Sequence, residues 1–224
     1  DDAAAAAAAR AASTVLVVCG PPGAGKTTLV DALVKADPRF ARPTWRVTAR
    51  DETGDVVDEA AFDENLDELA VAFGVGDDAA GPDEEATLLE SAVVRKRGLP
   101  RSELLGRADG RTAVLDCDVE TARRLESVRG ARLVGVWVSL NSLEALRERL
   151  TRLEAERAMR ASPDAANDAL AADVAATVAG RLAAVVDDID FGVRSPMIEF
   201  TIISSDSVDE SAARLRKAAE YVFS

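Results

Sequence analysis

Short apolar runs rich in β-branched residues alternate along this chain with segments whose apolar residues recur at helical spacing. The first pattern predicts buried strands, and the second predicts helices that pack on a core by one face. The predicted strands are Thr14–Cys19, Thr112–Asp116, Arg132–Val138 and Ile198–Ser204. The predicted helices are Lys26–Lys35, Glu59–Val71, Val119–Ser127, Ser142–Arg160, Ala165–Asp188 and Asp209–Tyr221. Because strands and helices alternate, we expect an α/β fold with a parallel sheet and helices on both faces.

Two of the predicted helices follow residues that commonly cap helix N-termini. Asn141 or Ser142 precedes the fourth helix, and Ser207 or Asp209 precedes the last one. The side-chain oxygens of these residue types accept hydrogen bonds from the free backbone N–H groups of a first helical turn. These positions therefore predict where the two helices begin.

The segment between the first strand and the first helix fits a phosphate-binding pattern. Gly20 to Thr27 has the sequence GPPGAGKT, which satisfies G-x-x-x-x-G-K-[S/T] between a strand and a helix. The glycines let backbone N–H groups surround phosphate oxygens, and the helix N-terminus adds partial positive charge. We expect Lys26 to reach the β- and γ-phosphates of a nucleoside triphosphate and the Thr27 hydroxyl to bind Mg²⁺; an ordinary Gly/Pro turn is the alternative. The predicted nucleotide-binding residues are Gly20, Pro22, Gly23, Ala24, Gly25, Lys26, Thr27 and Thr28.

Acidic residues follow the apolar run of the second predicted strand. Asp116 ends that strand and Asp118 comes two positions later. A carboxylate at the carboxyl end of a strand beside a phosphate loop can hold the Mg²⁺ shell through water. We therefore predict Asp116 as a metal residue together with Thr27, and assign Asp118 another role. The alternative is that Asp116 only ends the strand as a turn former.

Charge and composition exclude several classes of partner. The 224 residues carry a formal net charge of −13, whereas general binding to nucleic acid or to anionic membranes needs a basic surface. No apolar stretch approaches the ~20 residues that span a bilayer. Histidine is absent, so the chemistry available is that of Lys, Arg, carboxylates and Mg²⁺. Cys19 and Cys117 are expected to be buried reduced thiols, or a disulfide if their strands are neighbours.

The chain is expected to form one domain over residues 14–224, after a disordered or linker segment at residues 1–13. It begins at Asp1, and the alanine run Ala3–Ala9 fits the tail of a targeting segment, a linker or an extra helical turn. We expect a soluble protein of a reducing compartment: the cytoplasm, or an organelle matrix or stroma after removal of an N-terminal segment. Residues 74–85, with the sequence GVGDDAAGPDEE, predict an acidic surface loop.

Several stretches, taken in order, resemble the guanylate kinase family. They are GPPGAGKTTLV from Gly20, TAR from Thr48, LE from Leu89, LDCDVETA from Leu115 and SLEALRERL from Ser142. The phosphate loop is shared by many NTPases, whereas the LDCDV stretch and the SLEALRERL helix together are more discriminating. The resemblance implies a P-loop fold of the nucleoside-monophosphate-kinase type, with an acceptor lobe at residues 45–98 and a lid at residues 147–181. It also implies transfer of the γ-phosphoryl group of MgATP to GMP.

The same resemblance implies roles for individual residues. Arg50 matches the arginine that grips the acceptor phosphate, for which a guanidinium fork is well suited. Glu90 and Asp118 match the carboxylates that accept hydrogen bonds from guanine N1–H and its exocyclic amine. Arg152 and Arg181 are the candidate lid arginines that stabilise the transferring phosphoryl group with Lys26. The alternative for Glu90 and the helical arginines is a solvated surface charge.

Other positions depart from the family pattern on the acceptor side. The family's second acceptor arginine falls on Thr53, and its acceptor tyrosine falls on Arg97. The strand that carries its Asp-Tyr-x-Phe is expected to be deleted at Gly54–Val56, which predicts a reduced acceptor lobe. Arg95-Lys96-Arg97 either forms a compensating clamp for the acceptor phosphate, with Arg97 binding substrate, or lies at the C-terminal end of a helix. The lid is lengthened by the alanine-rich segment Met159–Val178.

These features favour a divergent guanylate kinase-like phosphotransferase that uses ATP and Mg²⁺ on GMP or a related monophosphate. A nucleotide-binding subunit of a larger assembly, with weak or no catalytic activity, is the competing hypothesis. A kinase for a different small acceptor, held by Arg95-Lys96-Arg97, is the third. No nucleic-acid partner and no membrane span are expected.

Overall fold

A five-stranded parallel sheet forms the centre of the protein. The computed structural model describes residues 13–48, 54–73, 96–161, 167–205 and 207–223. The strands of the central sheet are β1 (Thr14–Cys19), β2 (Phe40–Ala41), β7 (Thr112–Cys117), β8 (Arg132–Ser139) and β9 (Ile198–Ile203). Their order is β2-β7-β1-β8-β9, and every neighbouring pair is parallel. The carboxyl ends of all these strands therefore meet at one edge of the sheet.

A second, mixed sheet forms a small lobe beside the central sheet. Its strands are β3 (Arg46–Val47), β4 (Asp55–Val56), β5 (Leu69–Phe73) and β6 (Arg97–Pro100), in the order β4-β3-β6-β5. β3 runs parallel to β4, while β6 is antiparallel to both β3 and β5. Apart from Leu99 and Pro100 at the end of β6, this sheet lies within residues 45–98, the predicted acceptor lobe.

Helices cover the central sheet and extend from it. Those in the described part of the chain are α1 (Lys26–Ala36), α2 (Glu59–Glu64), α3 (Arg101–Leu104), α4 (Val119–Leu125), α5 (Leu143–Ala161), α6 (Asn167–Arg194) and α7 (Val208–Ala219). Short 3₁₀ turns occupy Leu66–Glu68 and Glu220–Phe223. No helix of the described ranges is both long enough and apolar enough to cross a membrane.

The core lies on both faces of β1, whose side chains are all fully buried. Successive residues of a strand point to opposite faces, so a strand covered on both faces is a continuous apolar run. One face joins β1 to α1 and α7 through Leu16, Val18, Leu29, Leu33 and Leu215. The other face joins it to α4 and α6 through Val15, Val17, Leu125 and Phe191. β1 is thus held rigidly from both sides.

The two long helices α5 and α6 pack on each other in the predicted lid. Their shared apolar cluster contains Leu146, Leu150, Val174, Val178 and Val185. The far end of α6 returns to the central sheet, where Gly192 lies against the ring of Trp137 on β8. α6 therefore connects the lid to the core as one continuous helix.

The predicted strands of the central sheet are confirmed, each to within one residue at its ends. The structure also shows which of the alternative capping residues is used at each helix. The Ser142 hydroxyl accepts from the backbone N–H of Ala145 at 3.1 Å, and the Ser207 hydroxyl accepts from the backbone N–H of Glu210 at 3.3 Å. Ser142 and Ser207 therefore cap α5 and α7.

The prediction of one helix over Glu59–Val71 is wrong in its second half. α2 ends at Glu64, where the side-chain amide of Asn65 donates to the carbonyl of Ala61 at 2.7 Å. The apolar residues from Leu69 onward form β5, which pairs with β6 from a distant part of the chain. A short apolar run fits either spacing, and here the available strand partner decides in favour of a strand.

The expected deletion at Gly54–Val56 is also corrected. Asp55 and Val56 form the two-residue strand β4, which continues the small sheet beside β3. Arg97 begins β6 rather than lying at the end of a helix, so the helix-end interpretation of the basic cluster is wrong for this residue. Residues 1–12, the predicted loop at 74–85 and Arg95 lie outside the described residues.

We expect Gly192→Ala to destabilise the fold, because its new Cβ would lie 2.5 Å from the buried Trp137 ring. The free energy of unfolding should fall by about 1–3 kcal/mol in urea denaturation. Gly180→Ala in the same helix is the matched control: its Cβ meets nothing within 4 Å, so alanine should raise stability by about 0.5–1 kcal/mol. Equal effects of the two substitutions would contradict the close packing of α6 on β8.

Candidate functional site

The loop between β1 and α1 has the backbone geometry of a phosphate-binding loop. Gly20, Gly23 and Gly25 adopt φ values of 146°, 77° and 93°, which side-chain-bearing residues rarely adopt. A Cβ on Gly20 would lie 2.0 Å from the carbonyl oxygen of Val138. Gly25 is the N-cap of α1 and has no side chain to occupy the free N–H groups of the first turn. Those N–H groups can therefore face an anion.

Lys26 lies back over this loop. Its ammonium donates to the backbone oxygens of Gly20 at 2.7 Å and Pro21 at 3.0 Å. Burial lowers the pKa of Lys26 below its ordinary value, and the carboxylates of Asp118 and Asp116 oppose that shift. The charge of Lys26 is thus directed into the loop, where phosphate oxygens can replace the two carbonyls.

Thr27 and Asp116 meet at the carboxyl end of the central sheet. The Thr27 hydroxyl donates to Asp116 Oδ2 at 2.6 Å. β1 and β7 are neighbours with Val18 opposite Asp116, which brings the strand-end carboxylate to the start of α1. The structure therefore joins the two residues that the sequence predicts as the Mg²⁺ pair.

Thr27 and Asp116 suit a Mg²⁺ ion that takes most of its ligands from phosphate and water. In the ranges that the structure describes, no group of three or more acidic, cysteine or histidine side chains could hold a metal ion. Mg²⁺ is commonly bound by one or two protein oxygens, with phosphate and water oxygens completing its shell. Thr27 and Asp116 supply such oxygens.

Arg42, which the sequence analysis did not select, also contacts Asp116. It follows β2 and donates through Nη1 to Asp116 Oδ1. Its Nε and Nη2 donate to Asp31 Oδ1 at 3.0 and 2.9 Å, and Nη2 also reaches the backbone oxygen of Thr27 at 3.2 Å. Arg42 thereby ties the first turns of α1 to the end of β7.

Asp118 lies near Arg97 of the small lobe and caps α4. Its Oδ1 accepts from the backbone N–H of Thr121 at 2.7 Å. Its Oδ2 lies 3.9 Å from Nη2 of Arg97, a weak contact between two half-exposed side chains. The structure therefore brings together two predicted substrate-binding residues, and leaves one oxygen of Asp118 with no close partner among the described residues.

Aromatic rings surround Arg97 on the face of the small lobe. Its guanidinium lies 4.6 Å from the centre of the Phe73 ring and 5.4 Å from that of Trp45. Arg124 lies over the same Phe73 ring at 4.3 Å and donates to the backbone oxygen of Ala72 at 2.6 Å. These cation–π contacts hold Arg97 in place with a side chain that is 45% exposed.

Helix α5, in the predicted lid, contributes two arginines beside the loop. Arg152 lines a cleft of about 270 Å³ together with Thr28 and Arg149. Arg149, a second residue missed in the sequence, has its Nη2 at 3.2 Å from where a Cβ of Gly25 would be. Within the described residues no carboxylate pairs with either arginine.

A larger groove of about 480 Å³ between α5 and α6 is lined mainly by alanine and valine, and so offers few groups for a phosphate.

Arg181 is directed elsewhere. Its Nη1 lies 3.1 Å from Oε1 of Glu154, across the pair of lid helices. Glu154 is only 12% exposed, so this ion pair is part of the packing of α5 on α6. The structure thus brings Arg152 to the loop and holds Arg181 within the lid.

Two buried thiols, Cys19 and Cys117, and the partly buried carboxyl of Asp188 have raised pKa values. Cys19 and Cys117 face each other in the register of β1 and β7, and both are free and buried. Burial raises the pKa of Cys19 to about 12, so its thiol stays protonated at neutral pH. On α6, burial raises the pKa of Asp188; the charge of Lys26 opposes this shift, and that of Asp118 adds to it.

Arg50, Thr53 and Glu90 lie outside the described residues. Their roles stay predictions. Helical spacing could have revealed Arg149, because it lies one turn before Arg152 on the same helix. No local pattern marks Arg42, whose contacts depend on the pairing of β2 with β7.

The fold is similar to that of a solved guanylate kinase. The crystal structure of guanylate kinase from Anaplasma phagocytophilum matches with a TM-score of 0.53 at 14% sequence identity, over 95% of this chain and 87% of that one. No protein-family model matches the chain, and no curated protein matches its sequence. Identity this low shows the fold alone. The chain has a P-loop α/β fold of the guanylate kinase-like type.

Substitution can separate the capping of α4 by Asp118 from its predicted role in binding substrate. We expect Asp118→Ala to lower the free energy of unfolding by about 1 kcal/mol, because α4 loses its cap. Asp118→Asn keeps a capping oxygen and should stay within a few tenths of a kcal/mol of wild type. Chemical denaturation of both variants measures the difference. If the two variants lost equal stability, the charge of Asp118 rather than its capping oxygen would be responsible.

Proposed function

We propose that this chain is a nucleoside monophosphate kinase of the guanylate kinase type. It would transfer the γ-phosphoryl group of MgATP to GMP or a related monophosphate. The observation that carries the proposal is the convergence of four groups on one loop: Lys26, the Thr27–Asp116 pair, Arg149 and Arg152. The likeness to a solved guanylate kinase supports it at the level of the fold.

The donor side supplies positive charge where phosphoryl transfer needs it. The triphosphate would follow the loop to the N-terminus of α1, with Lys26 moving from the Gly20 and Pro21 carbonyls onto the β- and γ-phosphates. Arg149 and Arg152 would approach from the lid side. Phosphoryl transfer depends mainly on alignment and on neutralising charge, so these groups suffice without an acid or a base. When bound at Thr27 and Asp116, Mg²⁺ would neutralise charge on the phosphate oxygens.

The reaction itself is an exchange of one P–O bond for another. An oxygen of the acceptor's phosphate forms a bond to the γ-phosphorus, and the bond from that phosphorus to the β–γ bridging oxygen breaks. The bridging oxygen leaves as part of ADP, and the acceptor becomes a diphosphate. Closure of the α5–α6 lid would exclude water, which otherwise competes with the acceptor.

The acceptor side supports a base that offers hydrogen-bond donors. Asp118 has a half-exposed carboxylate with an oxygen left over from its capping bond. A carboxylate only accepts, and guanine offers N1–H and an amine. Arg97, held over Phe73 and Trp45, would meet the acceptor's phosphate in place of the family's tyrosine. Arg50 and Glu90 are proposed to complete this side.

One observation favours a second candidate, a nucleotide-binding subunit without transfer activity. Arg97 approaches Asp118, so the group expected to hold the phosphate lies 3.9 Å from the group expected to hold the base. If that contact persists with acceptor present, the chain would bind ATP and transfer nothing.

Steady-state turnover tests the proposal. We expect MgATP with GMP to yield ADP in a coupled assay, and Lys26→Ala to lower kcat by at least about 100-fold because it removes a group that stabilises transition-state charge. Lys35→Ala is the matched control, since Lys35 is an exposed lysine in the last turn of the same helix. It should leave turnover unchanged. ATP binding without turnover on any monophosphate would favour the second candidate. Failure to bind ATP would refute both.

Substitution at Asp118 tests the acceptor class. We expect Asp118→Asn to lower kcat/KM for GMP by about tenfold to a hundredfold, because a charged acceptor of hydrogen bonds is lost while the cap is kept. The comparison uses GMP, IMP and AMP in the same assay. IMP lacks the exocyclic amine and AMP lacks the N1–H, so wild type should prefer GMP to both. A wild type that prefers AMP would exclude guanine recognition by Asp118.

A further inference from the structure

Arg42 places a permanent positive charge at the metal side of the phosphate loop. Its guanidinium bonds to Asp116, Asp31 and the Thr27 backbone at once, and its side chain is 33% exposed. An arginine in a protein stays charged at every working pH. Isolated surface ion pairs contribute little, but this guanidinium uses all three of its nitrogens on partners from two elements. These contacts fix the position of the Arg42 guanidinium in the site.

Asp116 has both of its oxygens committed. Oδ2 accepts from Thr27 and Oδ1 accepts from Arg42, in a side chain that is 15% exposed. A hydrated divalent cation on Asp116 would have to share that carboxylate with the guanidinium or displace it. Two cations on one carboxylate repel each other, and in a partly buried site this repulsion is only weakly screened. Arg42 and Mg²⁺ therefore compete for the same group.

Asp31 gives the guanidinium a second anchor. Nε and Nη2 both donate to Asp31 Oδ1, so Arg42 can release Asp116 through Nη1 and remain at the site. Nη1 would then be free, while Nη2 lies 3.2 Å from the backbone oxygen of Thr27 in the first turn of α1, where the triphosphate is proposed to lie. A planar fork of this kind suits phosphate oxygens.

We propose that Arg42 is a resident cation that competes with Mg²⁺ for Asp116 and supports nucleotide binding when no divalent cation is present. This inference rests on the proposed nucleotide site and adds a property to it. The chain would bind ADP with an affinity that depends weakly on Mg²⁺, and the metal would be needed for transfer rather than for binding.

Calorimetric titration of ADP, in EDTA and in excess Mg²⁺, tests the inference without using activity. Wild type should bind ADP in the two conditions with dissociation constants within about threefold of each other. Arg42→Gln should weaken binding in EDTA by at least about tenfold, because a charge-assisted contact to phosphate is lost. It should also lower the Mg²⁺ concentration that gives half-maximal ADP affinity, since Asp116 becomes free for the metal.

Arg39→Gln is the matched control. Arg39 forms comparable ion pairs with Asp37 and Glu220, and contacts neither Asp116 nor Thr27. It should leave both dissociation constants unchanged. If Arg42→Gln does not fold, the wild-type titrations decide alone: an affinity for ADP that falls tenfold or more in EDTA overturns the inference.

Two outcomes separate this inference from the proposed function. If ADP binds and GMP is phosphorylated, but Arg42→Gln has the same metal dependence as Arg39→Gln, the role of Arg42 is refuted and the kinase stands. If ADP binds in neither condition, both are refuted. Weak metal dependence in wild type that becomes strong in Arg42→Gln supports the inference whether or not GMP is the acceptor.

Discussion

The site depends on the parallel pairing of β1 with β7. That pairing sets Val18 opposite Asp116 and Cys19 opposite Cys117, so the phosphate loop and the strand-end carboxylate leave the sheet side by side. β1 is buried on both faces and cannot shift without disturbing two apolar clusters. A slip of one residue would also turn every side chain of the strand to the wrong face. The hydrophobic core thereby fixes the position of the Thr27–Asp116 hydrogen bond.

The sequence predicted those parts of the fold whose pattern is long or strongly apolar. Thr14–Cys19 matches its strand residue for residue, since a strand buried on both faces is a nearly continuous apolar run. The resemblance predicts a lobe at residues 45–98, but the pattern does not predict its strands, because β3 and β4 have two residues each and carry no period. The predicted helix runs into β5 as far as Val71 for a related reason: this strand follows a true helical turn, and the strand that pairs with it begins at Arg97. Where the partner is distant in the chain, local spacing does not decide.

The same division holds for the candidate site. Lys26, Thr27 and Asp116 were predicted because loop and strand signals are local, and the structure brings all three together. Arg42 directly follows β2, a two-residue strand that is too short to be predicted from its pattern. Its contact with Asp116 forms only because β2 pairs with β7. Arg181 shows the converse, since the arginine expected at the phosphate is paired with Glu154 inside the lid. Contacts between side chains of different helices and strands depend on how those elements pack, and packing cannot be predicted from local sequence patterns.

The cations around the loop fall into two groups, and the difference bears on how a nucleotide would be held. Lys26 and Arg42 already have protein acceptors, namely loop carbonyls and carboxylates, so phosphate oxygens would exchange with bonds that exist. Such an exchange yields only the difference between two bonds, because each protein contact must be broken first. Arg149 and Arg152 have no carboxylate partner in the part of the chain that the structure describes, so their contacts with phosphate would be net additions. Arg149 and Arg152 are therefore expected to supply more of the affinity for the triphosphate than Lys26 does.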